Sequence, residues 1–519
     1  MRGVETVLFL VIVATVVATF AKRLSVPAPS LLVVAGVLVG LLPGVPAIEV
    51  TPEIISLVVL PPLLFAAGEE VPLRDLRTVW KPVAGLSIGL VLLSAAAVGG
   101  VAVMLTSVPV GMAFVLGAIL ASTDPVAVTA LARRLPLPPR VQTLVQAESL
   151  FNDATSLLLF RVALSLVVAV GSASWGATLG EFALLAGGGL AVGAVTAFGA
   201  YLIRRRTVDP MLETVISLVT PYAGYVLAES VHASGVTAVV VASVGLGSQV
   251  GKLTTSRIRL QVGAVYRTVV FLLESVVFGL IGLQLPVLVG RLSGEVGWPF
   301  QALALVATLL VVRLLWVFPL SIVFRRGDGE KRPSWRVPVV VSWAGARGVV
   351  PLAAALSLPF TTADGSALPA RDLVVLLTSA VIVLTLVVQG FTLAPLVTWS
   401  GIAVHPDAVQ QETTAARADL AKAALARLDQ LAETESAPEF LIEQLRGSWQ
   451  ARLDRFEASN GDDPGGMADT ASYRRLRRHL LSVESGELAR LYEDGAITDG
   501  VRRQIQRELD LETTGLGED

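Results

Sequence analysis

The stretch AESLFNDATSLLLF, residues 147–160, is an apolar helical run interrupted in one place by polar side chains. Glu148, Ser149, Asn152 and Asp153 stand together among Leu, Phe and Ala. A carboxylate at the centre of a bilayer costs about 2.5–3.5 kcal/mol even on insertion scales, so such groups face a bundle interior and mark a path for ions or protons. At roughly 100° per residue Ser149 stacks on Asp153, and Glu148 on Asn152, which makes one polar stripe. Carboxylate, hydroxyl and amide oxygens are the donors that hard cations prefer. An interhelical hydrogen-bond patch is the plainer alternative.

The rest of the chain supports a membrane setting. Of 519 residues, 54% are hydrophobic and only 16% charged, against about a quarter charged in ordinary soluble domains. Apolar runs fall at about 4–21, 28–44, 52–67, 82–105, 109–131, 142–170, 177–203, 210–229, 233–250, 262–285, 297–324, 337–358 and 373–400. Most are long enough to cross roughly 30 Å of hydrocarbon. They predict an all-α polytopic membrane protein with about thirteen transmembrane helices over residues 1–403. The first run leads into Lys22 and Arg23 without a small-residue cleavage site, so it is expected to be retained. Basic residues cluster in alternate loops, at 22–23, 74–81, 133–140, 204–206, 252–259 and 325–336, while the opposite loops hold only Arg2, Arg291 and Arg371. The positive-inside rule then puts the N-terminus outside and the C-terminal tail in the cytoplasm, with the protein in the plasma (inner) membrane.

The tail, residues 404–519, holds 14 Lys and Arg against 23 Asp and Glu. It alternates helical segments such as TTAARADLAKAALARLDQLAE with breakers such as SNGDDPGG, and is expected to be helical and regulatory. There is no cysteine, which excludes disulfides and thiolate metal sites. The three histidines, His232, His405 and His479, lie at helix ends or in and beside the tail, so proton chemistry inside the membrane falls to carboxylates. No GxxxxGK[ST] motif occurs, so ATP is not expected as a partner; neither is nucleic acid, and no cofactor is implied.

Two runs are expected to be broken. In ILASTDPVAV (119–128) Pro125 lacks an N–H and clashes with the carbonyl four residues back, and Thr123 and Asp124 stand at that break. In VSWAGARGVVPLAAALSLP (341–359) Gly345, Gly348 and Pro351 serve as helix breakers around Arg347. One interrupted helix in each half suggests inverted repeats crossing near the midplane, with half-helix dipoles meeting there. Asp124 would offset the positive ends and Arg347 the negative ends. Two further charges, Arg313 and Glu274, sit in apolar runs and need partners. The economical structural ion pairs are Glu148 with Arg313 and Glu274 with Arg347. Glu181, Glu213 and Glu229 are expected at the membrane interface, and the Gly-rich run 187–200 is assigned to helix packing.

ASTDPVAV, AESLFNDATS, the arginine of VVRLLWV, ESVVFGLIG, GARGVVPLAAALSLP and LPPLLF (60–65) together resemble the electroneutral cation:proton antiporters. These are the bacterial sodium/proton antiporters related to animal sodium/proton exchangers. The resemblance covers roughly residues 5–400. It implies that Asp153 carries either the cation or the proton, that Asn152 is its partner in the family's Asn-Asp motif, and that Ser149, Asp124 and the backbone of Thr123 complete or support a Na+ site. It also implies a homodimer and a structural Glu148–Arg313 salt bridge. Many bacterial relatives follow LPPLLF with a ligating glutamate, where this chain has Ala66.

The implied chemistry is competition for one site: a dehydrated carboxylate holds a proton or a cation, not both. Counter-transport of Na+ (with Li+ or K+ as further candidates) and H+ follows if only occupied states cross, and would serve pH homeostasis. With Asn at 152 one charge titrates, so exchange is expected to be electroneutral. An intramembrane aspartyl protease is disfavoured because YD and GLGD motifs are missing. A non-transporting sensor or a cation channel with a signalling tail is the remaining alternative; the complete ion constellation argues against the sensor, and flux coupled to a pH gradient separates an exchanger from the channel.

Overall fold

In the computed structural model, residues 28–41, 55–124, 138–168, 175–249, 254–292, 297–325, 335–362, 364–402, 406–434, 438–458, 464–494 and 499–515 are described, with isolated positions between 12 and 19. The chain divides into two compact units, Met1–Ala403 and Val404–Asp519. Among the described residues both are helical, and the only strand-like feature is an isolated bridge between Thr361 and Ala367.

The first unit begins with α1 (Ala28–Gly40). α2 follows as a π-turn, Ile55–Val59, continued by Leu60–Glu69. α3 runs through Leu73–Ala84, a π segment Gly85–Leu90 and Val91–Leu105. Next come α4 (Val110–Leu120), α5 (Pro139–Val168), α6 (Trp175–Arg204), α7 (Pro210–Ser230) and α8 (Gly235–Gly247). The set closes with α9 (Ser256–Arg291), α10 (Trp298–Arg325), α11 (Arg336–Trp343), α12 (Val349–Leu356) and α13 (Arg371–Ser400). Seven of these helices are long and apolar enough to cross a membrane, and four more are apolar but shorter. The run at 4–21 lies largely outside the described residues, as do Pro125 and the remainder of the fifth run.

The central core is aliphatic and centres on α4, α12 and α13, where Leu116, Ile119, Leu120, Leu352, Leu376 and Val381 are fully enclosed. Small residues set the closest crossings, because van der Waals contact has to replace the hydrophobic drive that lipid removes. α1 meets α9 through Gly36, Gly279 and Gly282. A Cβ on Gly36 would come within 2.9 Å of the Gly279 carbonyl oxygen and 3.0 Å of the Gly282 Cα. The glycine-rich run on α6 does the same against α8: a Cβ on Gly193 would stand 2.6 Å from the Ala238 carbonyl oxygen, while Gly187 and Gly199 face open space.

One expectation needs correction here. Pro351 does not break its helix. It lies in the first turn of α12, where the missing N–H is one that has no intrahelical partner anyway; the interruption is the segment between α11 and α12. Glu213, at the start of α7, is fully buried and paired with Arg204 through Nε–Oε2 at 2.8 Å, and Glu69 approaches Nη1 of the same guanidinium at 3.7 Å.

The second unit comprises α14 (Pro406–Thr434), α15 (Glu439–Ala458), α16 (Pro464–Glu493) and α17 (Asp499–Gly515). α14 and α15 form a hairpin around Ala418, Ala421 and Leu453, bordered by Lys422–Glu457 and Arg446–Asp429 ion pairs. α16 and α17 are joined by Arg477 and Glu512 at 2.8 Å.

The glycine crossings give a direct test. Gly282→Val should lower the thermal midpoint of the detergent-solubilised protein by several degrees, consistent with an overpacking penalty of about 1–3 kcal/mol. Gly187→Ala should leave the midpoint unchanged or slightly raised. Equal effects of the two would rule out the crossing as a packing determinant.

Candidate functional site

The site grows from the end of α4. That helix stops at Leu120, and residues 122–124 leave the helical path. Freed backbone groups at such depth need partners in protein or a wet cavity, and five of those here have partners in the protein, the Leu120 carbonyl among them. The Asp124 N–H donates to the Ala346 carbonyl at 2.7 Å, so the two broken segments are hydrogen-bonded to each other. Ser149 Oγ donates to the Thr123 carbonyl at 2.6 Å. The Asn152 carboxamide takes Thr123 from both sides: Nδ2 donates to Oγ1 at 2.5 Å, and Oδ1 accepts the Thr123 N–H at 3.4 Å. Ser156 Oγ adds a bond to the Ala118 carbonyl at 2.9 Å. The polar stripe read from the sequence is therefore the surface of α5 that holds the break of α4.

The second break lies between α11 and α12. Asp124 Oδ2 accepts the Val349 N–H at 3.4 Å, on the first turn of α12, where the helix dipole presents partial positive charge. Arg347 serves the opposite ends. Its Nε donates to the Leu120 carbonyl at 3.0 Å, at the C-terminus of α4, and its Nη1 donates to the Gly345 carbonyl just past α11. Its backbone N–H donates to Thr385 Oγ1 on α13 at 3.2 Å, a contribution that no sequence pattern announced.

The glycines of this segment are there for clearance. A Cβ on Gly348 would overlap the Asp124 carboxylate, and one on Gly345 would meet the Arg313 Cδ and Nε at 2.8 Å. Neither has a positive φ. Their lack of a side chain lets two charged groups lie directly against backbone.

Glu148 and Arg313 form a two-pronged ion pair, Nη1–Oε1 at 2.6 Å and Nη2–Oε2 at 2.9 Å, with both side chains at most 2% exposed. The same guanidinium donates to the Val341 carbonyl, from Nε at 3.2 Å and Nη2 at 3.1 Å, which ties α5, α10 and α11 together. The expected Glu274–Arg347 pair is not formed. Arg347 is drawn to helix C-terminal carbonyls, whose combined partial charge replaces a carboxylate, while Glu274 on α9 lies within electrostatic reach of Asp124.

Asp153 differs from these groups. It is 7% exposed, no described cation pairs with it, and its Oδ1 has no hydrogen-bond partner among the described residues. The Asp124 carboxylate is near enough to act on it electrostatically. Glu148, one turn along the same stripe, is neutralised by protein; Asp153 is the acid left for a mobile positive charge. On the opposite edge of α5, Arg161 pairs with Glu229 at 2.5 Å and donates to the Tyr225 hydroxyl at 2.9 Å, joining α5 to α7.

The transmembrane sodium/hydrogen exchanger family model matches residues 9–399. An uncharacterized Na+/H+ exchanger of Mycobacterium tuberculosis is 33% identical, over 99% of this chain and 96% of that protein. A sodium, potassium, lithium and rubidium/H+ antiporter of Bacillus pumilus is 31% identical, over 71% of this chain and 57% of its own length. Among solved structures, that of the sodium proton antiporter MjNhaP1 from Methanocaldococcus jannaschii superposes with a TM-score of 0.64 at 22% identity, covering 77% of this chain and 98% of that one. That likeness is one of fold.

The buried Glu148–Arg313 pair predicts a non-additive mutational pattern. Arg313→Met or Glu148→Gln alone should each destabilise by about 3–5 kcal/mol, because each strands a buried group, and the double variant should lose less than the sum. A thermal-denaturation cycle in detergent measures this; additive losses would mean that the two side chains act independently.

Proposed function

The chain belongs to the sodium/hydrogen exchanger family, and from that premise we propose that it exchanges Na+ for H+ in a one-to-one, electroneutral cycle carried by Asp153. The single observation that supports this most is a buried carboxylate with one oxygen unpartnered among the described residues, on the same stripe as a Glu148 that Arg313 already neutralises. A proton or a monovalent cation each neutralises that charge. The unfilled, charged form is the costly one to carry through the closed state of the bundle, so only filled forms interconvert and the two gradients are coupled.

Around Asp153 the residues divide by role. Asp124 contributes negative potential and caps α12. Ser149 and the Thr123 carbonyl offer neutral oxygens at the break. Asn152 is a positioning residue, since both ends of its carboxamide are engaged by Thr123. Glu148, Arg313 and Arg347 hold the helices and the break. Na+ is the first candidate substrate; the name of the Bacillus pumilus relative extends the candidates to Li+ and K+. The remaining assignments are a homodimer in the plasma membrane, an outside N-terminus, and a cytoplasmic tail that regulates exchange.

In proteoliposomes, Asp153→Asn should abolish pH-gradient-driven Na+ flux, and the rate in the unmodified protein should not change when a membrane voltage is imposed. Na+ flux that persists in Asp153→Asn would remove this residue from the central role. A rate that follows voltage would refute electroneutrality.

A further inference from the structure

We propose that the Ser122 hydroxyl is a further ligand of the exchange site and sets how tightly it holds its alkali cation. This rests on Asp153 being the carrier. Ser122 immediately precedes the Thr-Asp pair and sits in the non-helical segment, with no exposure to solvent. Ser122 is near enough to act on the Asp153 carboxylate, yet neither Ser122 Oγ nor Asp153 Oδ1 completes a hydrogen bond among the described residues. Buried hydroxyls and carboxylates otherwise find partners, and one left without costs about 1–3 kcal/mol, more when charged.

Every neighbouring hydroxyl in the stripe is engaged. Ser149 donates to the Thr123 carbonyl, Thr123 Oγ1 accepts from Asn152, and Ser156 donates to Ala118. The clamp of Asn152 on Thr123 also fixes the register: with 123 held against 152, residue 122 is brought to 153. Two buried oxygens, one on a carboxylate and one on a hydroxyl, are thereby left close together with no completed hydrogen bond among the described residues. Oxygen donors of this kind suit a dehydrated alkali cation. When a proton occupies Asp153 instead, the same hydroxyl accepts the carboxylic O–H. A neutral ligand adds no charge, so it tunes affinity without altering the one-for-one count.

The test uses the full chain in proteoliposomes, with Na+, Li+ and K+ in turn. Ser122→Ala should raise the KM for each exchanged cation about ten-fold with a much smaller change in maximal rate. Ser122→Cys, which keeps the volume but offers a poor donor for hard cations, should behave like Ser122→Ala; Ser122→Thr, which returns a hydroxyl, should restore the KM. The cysteine and threonine variants decide the matter if the alanine variant does not assemble. An unchanged KM in Ser122→Cys, or an equal fall of maximal rate in all three variants, overturns the assignment. Asp153→Asn is measured alongside: exchange that survives there removes the carrier reading itself, whereas its loss with an unchanged KM in Ser122→Cys sinks only the role of Ser122.

Discussion

The hydrogen bond from the Asp124 N–H to the Ala346 carbonyl joins two interrupted helices inside the membrane unit, and the rest of the site depends on it. Hydrocarbon offers no partner for a freed amide or carbonyl, so helices break at depth only where protein takes over each group. The two breaks partly satisfy one another, and they bring three described helix ends together, the C-termini of α4 and α11 and the N-terminus of α12. α12 then presents its positive end to Asp124, and α4 its negative end to Arg347. The two charges are held by backbone groups at helix ends, so Arg347, which has no carboxylate partner among the described residues, needs none.

From this crossing the roles of the neighbouring residues follow in order. α5 braces the break through Ser149 and Asn152, each bonded to Thr123. The Glu148–Arg313 pair anchors α5 to α10 and α11 through the Val341 carbonyl. With those groups paired, one carboxylate in the stripe has neither a cation nor a full set of hydrogen bonds. Exchange chemistry needs that asymmetry. A site in which every acid had a fixed partner would bind nothing, while one with several unpaired acids would carry more than one charge.

Glycine contributes in two distinct ways. On α1, α6 and α9 it lets backbones approach one another. Between α11 and α12 it lets charged side chains lie against backbone, with Asp124 over Gly348 and Arg313 over Gly345. Both uses depend on the missing Cβ and not on unusual dihedral angles, since neither Gly345 nor Gly348 has a positive φ.

The sequence alone determined the helical membrane class, because runs of apolar residues of spanning length admit few other structures. It also determined the stripe at 148–153 and the two breaks, since four-residue spacing and proline or glycine act locally. It identified Glu148 and Arg313 as partners because each was a charge in hydrocarbon with few alternatives. Tertiary structure alone decided what the remaining charges meet. Arg347 found helix-end carbonyls instead of Glu274, Glu213 was buried on Arg204, and Pro351 began a helix instead of breaking one. The physical reason is that a dipole end, a carbonyl or a cleared glycine becomes a partner only once helices far apart in the chain have crossed, and no local pattern records where those crossings fall.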